Sequence, residues 1–242
     1  MTEHLNSYIR EQSNILGLDT ALGEIAACII KCGQVYVSPP DAHSAGKTRS
    51  TSIIPMIHQL LRQAGLDWKQ LDLLAFGSGP GSFTGLRIGA ATLAGINAGL
   101  RIPVVHLSSL AITARQVVTE QTVTAQIATE KTATEKAVQV LEDARAGEVF
   151  VGHYQNGRAL QVDACLSWQD IEAREPGLFC CNSEPPVRLN YWKRLPLTLP
   201  RSQALAIEVA AACSRGIDLS SLPIYPSPRY LQLSQAERQV HG

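Results

Sequence analysis

Apolar residues fall along this chain in short runs, broken by glycine and polar turns, and their period changes from strand to helix in a regular order. Ile15–Leu18 is an apolar run ending at Asp19-Thr20, and apolar positions resume between Glu24 and Ile30 after Gly23. This spacing predicts a β-hairpin closed by a polar turn. A second turn at Lys31-Cys32-Gly33-Gln34 leads into Val35-Tyr36-Val37, so three antiparallel strands open the fold. Pro39, Pro40 and Gly46 mark a loop. Ile53, Ile54, Ile57, Leu60, Leu61 and Ala64 then recur at helical spacing and predict an amphipathic helix with a broad apolar face. Pro55 is best tolerated in a first turn, where its missing N–H has no intrahelical partner, which sets the expected N-cap near Ser52.

Leu71–Phe76 reads as a buried strand, and the next stretch, GSGPGSFTGLRIGAATLAGINAGL, as a glycine turn running into a helix of small residues. Each interior glycine of such a helix costs about 0.5–1 kcal/mol relative to alanine, so close packing against another element is expected to offset it.

The pattern then repeats. At a constant offset of 124 residues, Asp19 matches Asp143, Gly23 matches Gly147, Glu24 matches Glu148 and Gly33 matches Gly157. In both copies an apolar run reaches an Asp, turns through Gly-Glu, returns as an apolar strand and turns again at Gly. A duplication is expected, with each half a βββαβα-like lobe. Between the copies, Gln116 to Ala137 is rich in Thr, Ala, Gln and Glu without sustained apolar periodicity, and is read as a mobile linker or insertion. The expected lobes are residues 1–112 and 113–242, the second including 116–137.

Composition narrows the partners. The 242 residues are 45% hydrophobic, enough for a sizeable core, and Lys plus Arg equals Asp plus Glu at 21 each. That balance gives no support to direct nucleic-acid binding. The first residues lack the apolar core of a signal peptide, and no run approaches the roughly 20 apolar residues of a membrane span, so a cytoplasmic protein is expected. Cys28, Cys32, Cys165, Cys180, Cys181 and Cys213 form no CxxC pair and are read as buried free thiols. His4, His43, His58, His106, His153 and His241 show no metal-ligand spacing, so no metal is expected.

Two hairpin lobes followed by strand–helix units resemble the actin-like ATPase (ASKHA) fold, an α/β architecture of two duplicated lobes, here with a degenerate second lobe. In that fold, glycine-rich turns after an Asp in each lobe bring bare backbone N–H groups to nucleotide phosphates. This chain offers Asp19-Thr20-Ala21-Leu22-Gly23 and Asp143-Ala144-Arg145-Ala146-Gly147, each with a single glycine at the far end. The loops therefore read as vestigial, although Arg145 could itself pair with a phosphate. Asp19 is the candidate general base for a kinase-like reaction, or a turn-capping residue.

LGLDTA, IIPMIHQLL, GPGSFTGLRIGAATLAGINAGLRIPVVHLSSL and DARAGEVFVGHY together resemble the TsaB family, over roughly residues 14–112 and 138–156. SLPIYPSPRYL near the C-terminus matches loosely. The resemblance implies a non-catalytic paralogue of TsaD, without a cofactor of its own, that joins TsaD and the ATPase TsaE in making threonylcarbamoyladenosine beside the tRNA anticodon. It implies a homodimer when alone and contact with tRNA only through the complex. One departure is Arg49-Ser50-Thr51, where family members commonly carry His-Ser-Glu.

In the family the first helix and the small-residue helix form the partner surface. This places Ile54, Ile57, Leu61, Leu86, Arg87, Ala90, Leu93 and Ala94 at the expected interface, with Arg87 suited to a partner carboxylate. The apolar members also suit packing on their own sheet. The competing reading is a catalytic ATP-dependent member of the fold, TsaD-like or sugar-kinase-like. The TsaD-like version expects a histidine pair on the helix after Arg101–Val105, where His106 stands alone.

Overall fold

The computed structural model describes residues 13–40, 49–117, 136–215 and 217–232. β1 (Ile15–Asp19), β2 (Ala26–Lys31) and β3 (Gln34–Val37) form the antiparallel meander read from the pattern. β4 (Leu73–Gly77) pairs with β1 in parallel and β5 (Val104–Leu107) pairs with β4 in parallel, giving the order β3-β2-β1-β4-β5. Parallel neighbours require crossovers, which α1 (Arg49–Ala64) and α2 (Phe83–Leu100) supply.

Strand alternation assigns the two faces of this sheet. Leu16 and Leu18 share a core with Ile53, Ile57 and Leu61 of α1 and Leu86 and Leu93 of α2. Ile15 belongs to the core on the opposite face with Leu205 and Val209 of α5 (Arg201–Ser214), and Asp19 points the same way.

α1 begins at Arg49, three residues before the expected cap, so Pro55 sits in the second turn and not the first. The proline removes a hydrogen bond to the Thr51 carbonyl and costs about 3 kcal/mol. Burial of Ile53, Ile57, Leu60 and Leu61, each worth about 1.5–3 kcal/mol, outweighs that penalty. Gly65, at φ +62°, ends the helix, and the Leu66 N–H donates to the Leu61 carbonyl at 2.9 Å.

The second half comprises β6 (Val138–Arg145), β7 (Glu148–Gln155), β8 (Arg158–Ala159), β9 (Ala164–Ser167), α4 (Trp168–Glu172), β10 (Leu178–Cys180) and β11 (Lys193–Arg194). Its sheet runs β11-β10-β6-β7-β8, with β9 also on β7. β6 and β7 are antiparallel, whereas β10 joins β6, and β11 joins β10, in parallel. This is the connectivity of the first sheet. Degeneracy is visible in α4, which has five residues where α1 has sixteen, and in 181–192, which joins β10 to β11 without a counterpart of α2.

The last helix of each half crosses to the other. α3 (Ser109–Arg115) follows the first sheet but packs on β6 and β7, while α5 follows the second sheet and packs on β1, β2 and β3. Residue 112 lies inside α3. Gln116 and Val117, read as the start of a mobile insertion, are buried, and the Gln116 carbonyl accepts from Thr198 N–H at 2.8 Å. The core seam between the halves holds them in place, and residues 118–135 of that insertion lie outside the described residues. Cys28, Cys180 and Cys181 are buried as expected, whereas Cys32 is exposed, because it occupies the β2–β3 turn at φ +47°.

Candidate functional site

The β1–β2 loop and the start of α2 are built against each other. A Cβ on Gly85 would stand 2.2 Å from the Thr20 carbonyl oxygen, and one on Gly89 would stand 2.3 Å from Thr20 Oγ1. These glycines are therefore required for approach, and Thr20 Oγ1 donates to the Gly85 carbonyl at 2.6 Å. Ser82 caps the helix by accepting from Gly85 N–H at 3.3 Å, and its own N–H donates to the Ala21 carbonyl at 2.8 Å. The helix thus occupies the space over Thr20 and Ala21, where a phosphate loop would present bare backbone.

Asp19, at the end of β1, is fully buried and faces Arg201, the first residue of α5, which is equally buried. Arg201 Nε donates to Asp19 Oδ2 at 3.0 Å, and Nη2 completes the pair on the same oxygen. The other carboxylate oxygen accepts from Ala21 N–H at 3.0 Å and Ser109 Oγ at 3.1 Å. Arg201 Nη1 donates to Thr113 Oγ1 at 2.9 Å and Gln116 Oε1 at 3.3 Å, and Nη2 also reaches the Ser109 carbonyl. Both ions are fully hydrogen-bonded, which is the condition for a tolerable buried pair. A carboxylate so engaged can neither coordinate a cation nor take a proton from a nucleophile without breaking the pair. Asp19 does serve as the turn cap that the sequence allowed. Arg201, 182 residues away, carries no local signal of its role.

The second loop is the counterpart of the first. Asp143 lies two residues before the end of β6, at an irregularity in its pairing, and accepts from the N–H two residues on, Arg145 at 3.3 Å, as Asp19 does from Ala21. It is exposed and also accepts from Trp168 Nε1 at 3.3 Å. Arg145 is exposed at φ +65°, and Gly23 and Gly147 both take positive φ in their turns. On the inner side, Glu142 is buried and accepts from the Asn182 backbone N–H at 3.0 Å as well as its Nδ2. Burial pushes its carboxyl up to about 7, against the pull of Arg201 and of the Asn182 donors.

The outer surface of α1 and α2 is the second feature. A groove of about 580 Å³ lies between them, lined by Ile54, Trp68, Ala91, Gly95, Gly99 and Leu100 among others. Cβ atoms added at Gly95 and Gly99 would meet nothing within 4 Å. Of the residues expected at an interface, Ile54 and Arg87 are exposed, and Ala90 and Ala94 are half-buried. Ile57, Leu61, Leu86 and Leu93 are corrected to core: they are buried on the chain's own sheet and present nothing outward. The outward row of α2 is Ala91, Gly95 and Ala98, one residue along from the expected Ala90 and Ala94. The spacing was present in the sequence, but every face of this helix carries small or apolar residues, so no contrast singled it out. The side chains of Arg49 and Ser50 lie outside the described residues.

His106 is half-buried on β5, and its Nε2 accepts from Ser227 N–H at 2.8 Å, while burial lowers its pKa. His58 and His153 stand apart from it, and among the described residues no group of three His, Cys, Asp or Glu side chains could hold a metal ion. No helix among the described residues is long and apolar enough to cross a membrane.

Two mixed sheets of one connectivity, exchanging their last helices, define an α/β protein of the actin-like class, with its first loop closed by Arg201. The chain belongs to the family described as TsaD: tRNA N6-adenosine threonylcarbamoyltransferase, whose model matches residues 39–167. It is similar to the tRNA threonylcarbamoyladenosine biosynthesis protein TsaB of Haemophilus influenzae, 36% identical over 102 residues, 42% of each chain. The protein of that name from Escherichia coli is 31% identical over 145 residues, 58% of this chain and 54% of that one. The chain thus spans about half the length of the curated relatives it matches. Among solved structures it is similar to YeaZ from Pseudomonas aeruginosa, with a TM-score of 0.63 and 25% identity over 90% of this chain and 100% of that one.

Proposed function

We propose that the chain is a TsaB-like scaffold without catalysis of its own, which binds and stabilises a TsaD-like catalytic subunit in threonylcarbamoyladenosine modification of tRNA beside the anticodon. A TsaE-like ATPase completes the assembly, tRNA is reached through the complex, the free chain pairs with itself, and the work is cytoplasmic. The observation that carries this reading is the outward row Ala91, Gly95 and Ala98 beside the 580 Å³ groove: small side chains there let a partner helix approach closely, with Ile54 and Leu100 as apolar walls. The internal neutralisation of Asp19 by Arg201 supports the absence of catalysis.

The test is Ala91→Trp and Gly95→Trp, made separately, with melting temperature measured beside affinity for a purified TsaD-like subunit. Both sites are exposed, so folding is expected to be unaffected. Overpacking at an interface costs about 1–3 kcal/mol, so affinity is expected to fall roughly tenfold to hundredfold. Wild-type affinity in both variants would remove this face from the reading.

A further inference from the structure

The loosely matching C-terminal segment, 223–232, runs across the molecule as a strap. The Val104 N–H donates to the Pro223 carbonyl at 2.8 Å, which covers the edge of β5. Asn97 Nδ2, near the C-terminal end of α2, donates to the Ile224 carbonyl at 2.5 Å. Farther on, Ser227 N–H donates to His106 Nε2, and Arg229 N–H donates to the Ser78 carbonyl at 2.6 Å. The Arg229 carbonyl lies so close to Gly79 that a Cβ there would stand 2.8 Å from it. Gly79, at φ +110°, is thereby tied to the strap.

From this point the strap divides its contacts between the halves. The Arg229 guanidinium lies 3.6 Å from Asp163 Oδ2 and donates to the Asp163 carbonyl at 3.2 Å. Asp163 is buried and also accepts from Ser108 Oγ and Tyr154 OH, each at 2.6 Å. Gln232 Nε2 donates to the Ala144 carbonyl at 2.8 Å, in the second hairpin. On the other side, the Tyr230 ring packs at a tilt of 39° against Phe83, the first residue of α2, with centroids 4.9 Å apart, and the Arg87 guanidinium lies over the Phe83 ring, 3.9 Å from its centroid. Among the described residues Arg87 has no carboxylate within 4 Å.

We propose that the strap is a positioning element for α2. It grips the helix through Asn97 near one end and Phe83 at the other, and leaves the row Ala91, Gly95 and Ala98 uncovered. Tyr230 sets Phe83, and Phe83 sets the direction in which Arg87 is offered. The reading of this face as a partner surface belongs to the proposed function, but the grip itself does not depend on it.

The experiment uses the full chain with Tyr230→Ala and, separately, Tyr230→Phe, which keeps the ring. Hydrogen exchange is followed in the isolated protein, and affinity is measured for the TsaD-like subunit. In Tyr230→Ala the amides of Leu86–Ala90 are expected to exchange about tenfold faster, while those of β1, β2 and β4 stay unchanged and Tyr230→Phe behaves as wild type. Affinity is expected to fall about tenfold in the alanine variant alone. Unchanged exchange in α2, or equal acceleration throughout the sheet, would overturn the strap as a positioning element. A wild-type chain that fails to bind the TsaD-like subunit would overturn the proposed function, and the exchange result would still decide the strap.

Discussion

Asp19 and Arg201 are 182 residues apart in sequence and form one buried ion pair, the acid at the end of β1 and the cation at the start of α5. Removing one member strands a charge in the core. Arg201→Met is expected to destabilise the fold by about 3–5 kcal/mol in urea unfolding, and the double variant Asp19→Leu/Arg201→Met to recover a substantial part of that loss. A single variant as stable as wild type would mean that Asp19 is hydrated or otherwise neutralised.

The same pairing bears on chemistry. The purified chain is expected to hydrolyse ATP no faster than buffer, and its melting temperature to be unmoved by magnesium ATP, because the Asp19 carboxylate is already bound on both oxygens. Turnover that disappears in Asp19→Ala would contradict this.

Gly89→Ala and Gly95→Ala, six residues apart on one helix, are expected to have opposite signs. The first drives a methyl to 2.3 Å from Thr20 Oγ1 and 3.1 Å from the Phe76 ring, for a loss of about 1–3 kcal/mol. The second places it in open space and removes the entropic penalty of a helical glycine, for a gain of about 0.5–1 kcal/mol. Thermal melts of the two variants decide it.

Glu142 makes stability depend on pH. Its folded pKa is about 7, above the ordinary 4.5, so the native state holds a proton that the unfolded chain releases. Its contribution is complete below pH 4.5 and is lost as pH rises through about 7. Measured against Glu142→Gln, which cannot titrate, wild type is expected to lose stability progressively across that window. A flat difference between pH 4.5 and 8 would show that the Asn182 donors keep the carboxylate charged in the fold.

Local pattern made much of the architecture legible. The meander, both hairpins, α1, α2 and the equivalence of Asp19 with Asp143 follow from period, turn residues and repetition, which act over a few residues. The position of Pro55 misled because tertiary burial of Ile53, Ile57 and Leu61 overrides a local helix penalty. The choice of face on α2 could not be read, since which small residues meet Thr20 and which meet solvent is decided by the loop beneath them. Arg201, Asp163 and Arg229 were illegible for another reason: each acquires its partner through the exchange of helices and the return of the chain end.

The placement of α5 also sets a timetable for synthesis. The first sheet has all five strands once Leu107 is made, yet its Ile15 and Leu73 face stays open to water until α5, ending at Ser214, arrives to cover it. At roughly 5–20 residues per second, that interval lasts about 5–20 s. A nascent chain of this protein therefore carries a finished but half-dressed sheet away from the peptidyl-transferase centre, and its need for chaperone shelter is greatest between the synthesis of Leu107 and that of Ser214.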